Sequence, residues 1–517
     1  MGLLALTACL NVANLMVSRS VAREREFAIR SALGAARMRL IRQVFVESLT
    51  LAAVGGALGI IFAWMGNRLL VAMLPAHYQV VRLSETRIDT HILWFVLALT
   101  TATAVIFGTG PALILSRFSL REMGSTMTRS VGRTRWRGAL VAAEVALSLI
   151  LLIGAGLLMR SFVALAGVDP GFRPDHVLTA MIPVSNQLSK DKPNLIRRLS
   201  DIVSRVETLP EVTAAGISTA IPMGPVNVSL LIQIPGHGSG EIGAQYRAVS
   251  PDYFKALGVP LRLGRLFTAH DGSGAAVVIV NEAFARKYWP GQNPLGQKLG
   301  ARSEMTIIGV VADQHQRTLD KPAEPEFYGP YQGYLGPALG TMLIVRTQQD
   351  PVRMAASLRE TIHRAYPDQP ISELMTMEER VSESMAEPRL YTSLLGIFAA
   401  VALALTAIGV YGVMAYSVGQ RVREIGIRMA LGAQRANVLR AVMLSALTLV
   451  AGGAAAGLAG AWIVSRYIES MLYGVPARDL VTFVAAPLVL LCVGAIACFF
   501  PAKRAASIDP NHALREA

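Results

Sequence analysis

The segment EREFAIRSALGAARMRLIRQ (Glu24–Gln43) returns almost word for word as VREIGIRMALGAQRANVLRA (Val422–Ala441). Between Arg23–Arg42 and Arg421–Arg440, at a constant offset of 398, 11 of 20 residues are identical. Among them are Glu26/Glu424, Arg30/Arg428, Ala32/Ala430, Leu33/Leu431, Gly34/Gly432 and Arg37/Arg435. The register continues into the apolar run that follows each copy, where Gly55 and Gly59 fall on Gly453 and Gly457, and Trp64 on Trp462. The exits also correspond, GPALILSRFSLRE resembling FPAKRAASIDPNHALRE with a short gap. A match of this length, twice, is an internal duplication. Each unit reads as an apolar run, a basic segment, two further apolar runs and a basic exit.

Composition says what kind of chain carries this repeat. Of its 517 residues 53% are hydrophobic and only 16% charged, with a mean hydropathy of +0.44. Soluble proteins place nearer a quarter of their residues in the charged class. The net charge of +14 is unevenly spread. Val163–Leu390 holds 22 Lys/Arg against 23 Asp/Glu, a net of −1, and the remainder 27 against 12, a net of +15. The basic excess thus sits between apolar runs and not on a soluble face, which removes the usual footprint of a nucleic-acid-binding protein. Cys9, Cys492 and Cys498 all lie in apolar runs, so no disulfide holds the large polar segment together.

Seven apolar runs are visible: Leu3–Val17, Val44–Leu74, Ile92–Leu115, Ala139–Met159, Leu390–Val418, Ala441–Val464 and Leu480–Phe500. Most reach the roughly 20 residues needed to cross hydrocarbon as a helix, the first being short. Arg19–Arg42, Arg117–Arg137 and Arg421–Arg440 contain seven, six and five arginines, whereas the alternate loops are poor in them. The positive-inside rule places the arginine-rich loops in the cytoplasm. Seven spans then put Val163–Leu390 on the outside.

That outer segment reads as α+β in two lobes. LIRRLSDIVSRVETL and VRMAASLRETIHRAY have helical spacing, while VTAAGIS, MTIIGVVAD and TMLIVRT are strand-like. AAVVIVNEAFARKYWPG reads as strand, helix and Pro-Gly stop, and the Gly/Pro-dense Pro222–Gly243 and Pro322–Gly340 read as connecting loops. The fold class expected is a polytopic α-helical membrane protein of about seven spans, built on a duplicated unit, with an α+β extracytoplasmic domain of two lobes.

Three features of the apolar part bear on function. Ile29, Leu33 and Ala36 at helical spacing, with Gly34 as a stop, predict a short amphipathic helix at the membrane surface. A basic helix of this kind can lie on anionic headgroups. The glutamate and the Gly-Ala ending shared by both copies are better explained by docking to a protein partner. The pairs Gly55/Gly59 and Gly453/Gly457 are small residues that let helix backbones approach in lipid. Glu144 is a carboxylate inside an apolar run. Burial of such a group is costly, which makes it a functional candidate, the alternative being that it reaches the interface near Arg135 and Arg137.

Enzyme signatures are missing from the sequence. It has no G-x-x-x-x-G-K-[ST], H-E-x-x-H or C-x-x-C. His270–Asp271 and Asp313/His315 are too sparse for a metal site, and the sequon Asn227-Val-Ser229 is a weak signal. No catalytic residue and no metal ligand is expected.

EIGIRMALGA before a long span resembles the coupling segment of MacB/FtsX-type ABC transporter permeases. VSPDYFKALGVPLRLGRLF and VVIVNEAFARKYWPGQNPLGQKL resemble the periplasmic core of that family. The duplicated layout resembles its orphan-permease branch. The likeness implies that Glu26, Arg30, Leu33 and Gly34, with Glu424, Arg428, Leu431 and Gly432, meet a separate cytoplasmic ABC ATPase dimer. That partner would bind ATP and Mg, and this chain would need no cofactor of its own. The likeness further implies a bacterial inner-membrane location, mechanotransmission to a periplasmic domain, and a periplasmic adaptor or outer-membrane duct as candidate partners beside the lipid bilayer. The expected boundaries are a truncated first span at 1–18, a coupling segment at 19–42 and two spans at 43–116. A cytoplasmic linker at 117–138 and a span at 139–162 lead to a MacB-like core at 163–389. A span at 390–418, a second coupling segment at 419–440, two spans at 441–502 and a cytoplasmic tail at 503–517 complete the chain. The family layout has a span and an outer domain before its first coupling segment, which predicts that these precede residue 1 in a longer protein.

Overall fold

The computed structural model describes residues 2–22, 37–73, 90, 93–94, 96–98, 101–102, 105, 126–224, 226–235, 242–272, 276–300, 304–333, 340–420, 422–431 and 434–507. In chain order the helices are α1 (Gly2–Ala22), α2 (Arg37–Met73), α3 (Thr126–Ala166), α4 (Asn186–Lys190), α5 (Lys192–Glu207), α6 (Tyr253–Leu257), α7 (Glu282–Tyr288), α8 (Pro351–Ala365), α9 (Met377–Ser384), α10 (Ala386–Gln420), α11 (Val422–Ala430), α12 (Arg435–Ile468) and α13 (Leu480–Ala506). The strands are β1 (Val177–Ile182), β2 (Val212–Ser218), β3 (Ser229–Ile232), β4 (Ile242–Val249), β5 (Leu261–Gly264), β6 (Val277–Asn281), β7 (Lys298–Gly300), β8 (Glu304–Val311), β9 (Glu326–Pro330), β10 (Thr341–Thr347) and β11 (Ser372–Thr376). The chain divides into a helical unit, Met1–Ala164 with Pro388–Ala517, and a sheet domain, Leu165–Glu387.

Among the described residues five helical stretches are long and apolar enough to cross a membrane: Phe45–Arg68, Gly138–Ala166, Ala386–Gln420, Arg435–Met471 and Leu480–Ala506. The apolar part of α1 is shorter, Gly2–Val12. The expected third span, Ile92–Leu115, falls mostly outside the described residues. Most helices overrun the apolar runs that predicted them, because a helix keeps satisfying its own backbone after its side chains turn polar. α3 is the centre of the helical unit. Val141, Val145, Leu149, Ile153 and Leu157, four residues apart, make one fully buried stripe. They pack with Val410 and Met414 of α10, Val450 and Ala454 of α12, and Ala486 and Leu490 of α13.

The sheet domain is built on one mixed sheet ordered β11-β1-β10-β2-β4-β9-β6-β8-β5, with β3 paired to β4 and β7 to β8. β4–β9 and β6–β8 run parallel and the other pairs antiparallel. The two halves meet where β2 and β4 share the single register pair Ser218↔Val249, so the two lobes are portions of one continuous sheet. Alternation sends Leu343 and Val345 to one face of β10 and Met342 and Ile344 to the other. Leu195, Leu199 and Ile202 of α5, with Leu358 and Ile362 of α8, cover the first face. Tyr253, Phe254 and Leu257 of α6 cover the second.

The segments expected as loops contain two strands. β3 lies in Pro222–Gly243, and β9, in Pro322–Gly340, is an interior strand between β4 and β6. Glu-Phe-Tyr-Gly-Pro hides that role because one of its buried positions is a charge. The Glu326 carboxylate pairs with the fully buried guanidinium of Arg247 on β4, which also donates to Gln316. Tyr328 Oη donates to Glu326 Oε2 at 2.7 Å, and the Glu326 amide donates to Asn281 Oδ1 at 3.0 Å. Burial opposes the charge on Arg247, but the adjoining Glu326 carboxylate outweighs it and holds the guanidinium protonated. The same burial pushes the Tyr328 hydroxyl well above its ordinary range.

Candidate coupling site

The second copy of the repeated segment folds as the nine-residue helix α11, as its apolar spacing requires. Ile425 is its inward anchor, buried with Val418 of α10, Val438 of α12 and Ala505 of α13. The other side is open. Ile427 and Arg428 are exposed, and Leu431 is 83% exposed. The turn closes with the Leu431 amide donating to the Ile427 carbonyl at 3.0 Å. Ile427 and Leu431, four residues apart, thus lie exposed together on the side of α11 away from its anchor. Glu424 lies within α11, and Gly432 lies outside the described residues, as do Glu26, Arg30, Leu33 and Gly34 of the first copy.

α12 follows α11 after a short connection and lies directly against α3. A Cβ built at Gly453 would sit 2.7 Å from the Ala142 carbonyl oxygen and 2.8 Å from Val145 Cβ. One at Gly457 would sit 2.8 Å from the Ala146 oxygen, and one at Gly460 2.7 Å from Ile150 Cδ1. The second glycine pair therefore marks a backbone-to-backbone approach. Gly55 and Gly59 of the first pair lie on α2, and a Cβ at either meets no atom within 4 Å among the described residues.

The far end of α3 is tied to the turn between α12 and α13. Arg160 forms an ion pair with Asp479, and Ser161 Oγ accepts from the Tyr473 amide at 2.8 Å. Asp479 also caps α13, accepting from the Thr482 amide at 2.8 Å and its hydroxyl at 2.7 Å. A Cβ at Gly156 would lie 2.7 Å from Thr482 Cγ2. Arg478 lies over the Trp462 ring at 3.9 Å from its centroid, and Trp462 meets Phe483 edge-on. Sequence reasoning passed over this lock, although Asp479-x-x-Thr482 before an apolar run is a readable cap signal.

The seam between α3 and α10 is polar. Glu144 is 1% exposed, and its carboxyl occupies the space where Gly409 lacks a side chain. Ser148 donates to the Ala402 carbonyl at 3.2 Å and lies 2.6 Å from Thr406 Oγ1. Glu144 is thus inside the bundle, turned away from the interface. No group of three or more potential metal ligands occurs among the described residues. Chemically, the site is a set of joints. A short surface helix is anchored on three spans, one of those spans is fused to α3, and α3 runs on to Ala166, where the sheet domain begins.

Comparison with known proteins gives the same two parts. The model of the FtsX-like permease C-terminal domain matches residues 1–122 and 396–510, and the model of the MacB-like periplasmic core domain matches 139–361. The pyoverdine export ATP-binding/permease protein PvdT of Pseudomonas aeruginosa is 29% identical over 330 residues, 61% of this chain and 47% of its own. The macrolide export ATP-binding/permease protein MacB of Marinobacter nauticus is 31% identical over 54% of this chain and 44% of its own. MacB of Mannheimia succiniciproducens is 28% identical over 52% and 43%. The chain thus spans about half the length of the relatives it matches. Among solved structures, the periplasmic region of MacB from Actinobacillus actinomycetemcomitans covers 40% of this chain with 92% of its own, at 18% identity and a TM-score of 0.29. The chain therefore carries two segments of the FtsX-like permease C-terminal domain flanking a MacB-like periplasmic core domain.

Proposed function

We propose that the chain is the transmembrane permease of a bacterial ABC-type export system. It receives the closure of a separate cytoplasmic ATPase dimer at its two repeated basic segments and passes the movement to its periplasmic domain. The observation that carries this is the unbroken mechanical line from α11, with Arg428 and Leu431 exposed, through α12 and its glycine contact to α3. The relatives are named as exporters that hold an ATP-binding part, and on this reading a separate ATPase chain binds ATP and Mg, the P-loop signature not occurring in these 517 residues. On this reading the chain is non-catalytic and sits in the inner membrane, with an adaptor or outer-membrane duct as further partners.

The test is co-purification with the cognate ATPase and measurement of its rate. Reversing the charge at Glu26 and Glu424 together is expected to break the complex, and Leu431→Asp to weaken it. An ATPase that still co-purifies with the double charge reversal removes the coupling reading. An FtsX-like regulator that moves no substrate would use the same line. It is distinguished by a cell-wall hydrolase as partner and an ATPase rate indifferent to export substrates.

A further inference from the structure

Three spans bring polar groups to a single seam in an otherwise apolar bundle. α3 contributes Glu144 and Ser148, one turn apart and each 1% exposed. α10 contributes Thr406, Gly409 and the carbonyls of Ala402 and Leu405, and α1 contributes the buried Thr7 and Asn11. The groups are interlocked. Ser148 donates to the Ala402 carbonyl and adjoins Thr406, Asn11 Nδ2 donates to the Leu405 carbonyl at 3.1 Å, and Thr7 donates to its own helix at Leu3. Gly409 is the position where any side chain would strike the Glu144 carboxyl.

Two buried oxygens in the seam have no hydrogen-bond partner among the described residues: Glu144 Oε1 and Asn11 Oδ1. Among the described residues, the elements packed around the carboxyl bring no hydrogen-bond partner to its Oε1. α10 offers Gly409 and Thr406, and α12 faces α3 with Gly453, Gly457 and Val450. α13 contributes Cys498, a buried thiol of the same apolar cluster. Other titratable groups on these helices are Cys9 of α1, Glu387, Arg389, Tyr391, Tyr411 and Tyr416 of α10, Arg435, Arg440, Arg466 and Tyr467 of α12, and Cys492, Lys503 and Arg504 of α13, while Arg137 lies seven residues before Glu144 on α3. The ion pair of Arg160 lies 16 residues further along α3, about 24 Å away at 1.5 Å per residue.

A carboxylate in hydrocarbon with neither a cation nor a full set of donors carries the whole cost of charge burial. A carboxylic acid does not, and it gains an O–H donor in a seam rich in acceptors. We infer that Glu144 is a proton-binding site built into the α1–α3–α10 seam. It holds a proton on one carboxyl oxygen while α3 and α10 are packed, and passes that proton to water, leaving a carboxylate, when they part. α3 enters the sheet domain and α10 leaves it, so parting of these two helices is the step to which the proton is linked. This inference stands apart from the ATPase reading, since it needs only the packing of the bundle.

The test uses the full chain in lipid nanodiscs, by infrared difference spectroscopy of wild type minus Glu144→Gln at pH 7 in H2O and D2O. The expected result is a protonated-carboxyl C=O band that shifts down in D2O and is lost in the variant. A wild type that shows only carboxylate bands at this position overturns the site. So does a C=O band abolished by sodium but retained in choline, which would make the seam a cation site. Folding is controlled by a second pair. Gly409→Ala is expected to lower the thermal midpoint by several degrees, and adding Glu144→Ala to restore it by clearing the space. A silent Gly409→Ala means that the carboxyl does not lie against α10, and the inference falls.

Discussion

Gly453 and its neighbour Gly452 offer a matched experiment on the joint between α12 and α3. Alanine at Gly452 meets nothing within 4 Å, whereas at Gly453 the new methyl would stand 2.7 Å from the Ala142 oxygen and 2.8 Å from Val145 Cβ. Ordinary contact between such atoms is about 3.5 Å, and neither obstacle is the loose end of a flexible side chain. The helices must therefore separate by about 0.7 Å. A gap of that order forfeits a quarter to a half of each contact across the interface. For about 20 atom pairs at about 0.15 kcal/mol each, the loss is on the order of 0.8–1.5 kcal/mol, near the lower end of the usual range for overpacking. SDS titration of the reconstituted chain, read by helical circular dichroism, is expected to show Gly453→Ala less stable by that amount than Gly452→Ala, which shares the same gain in helix propensity without the clash. Gly457→Ala needs a similar separation, so the double variant should lose little more than either single one, because one displacement relieves both clashes. Equal stabilities for Gly452→Ala and Gly453→Ala, or full additivity of the pair, would refute the close approach.

In the sheet domain, Glu326→Ala leaves the Arg247 guanidinium buried without its carboxylate and is expected to cost about 3–5 kcal/mol. Replacing both residues by apolar ones of similar volume should recover most of that loss in thermal unfolding of the full chain. The Asp271 carboxyl is held well below the usual carboxylate range by the Arg265 guanidinium, with the Thr268 amide and hydroxyl assisting against burial. Its contribution is therefore present above about pH 4, the unfolded value, and is lost as pH falls below it. Asp271→Asn should flatten the acid limb of the stability profile. The effect is small because Arg265 is half exposed. Arg160→Ala should loosen the turn between α12 and α13, read as faster amide exchange at Tyr473 and Thr482, and unchanged exchange there would contradict the lock.

Much of the helical unit was legible because a membrane enforces a coarse grammar. Hydrocarbon demands long apolar runs, and arginine marks their ends. The duplication added the short helix between two spans, since a basic amphipathic segment repeated at one offset stands out from composition alone. What escaped reading depends on contacts between positions far apart in the sequence. Arg160 and Asp479 are each unremarkable at the end of an apolar run, and Gly409 is one glycine among many until a carboxyl from another helix is placed against it. The strand β9 failed to show for a related reason. Its alternation is Glu, Phe, Tyr, and the leading charge reads as solvent-facing unless its partner on β4 is known. Periodicity detects a face that meets water or oil, and it is blind to a buried charge matched by another.

The two glycine pairs share one pattern, and the described residues show what the second pair meets. Gly453 and Gly457 sit where α12 must approach α3 closely, and α3 is the helix that runs on into the sheet domain. Gly55 and Gly59 occupy the same positions of the first unit without such a neighbour among the described residues. Close glycine packing is worth having where a movement must be transmitted without slack, because short interhelical distances raise the number of contacts that resist sliding. The second unit combines that packing with the Arg160–Asp479 lock at the opposite end of α3. Ile425 of α11 is buried with residues of α10, α12 and α13, and α12 packs closely on α3, so on the proposed reading a load on α11 would reach these helices together. On that reading, substitutions in α11 are therefore an informative place to begin.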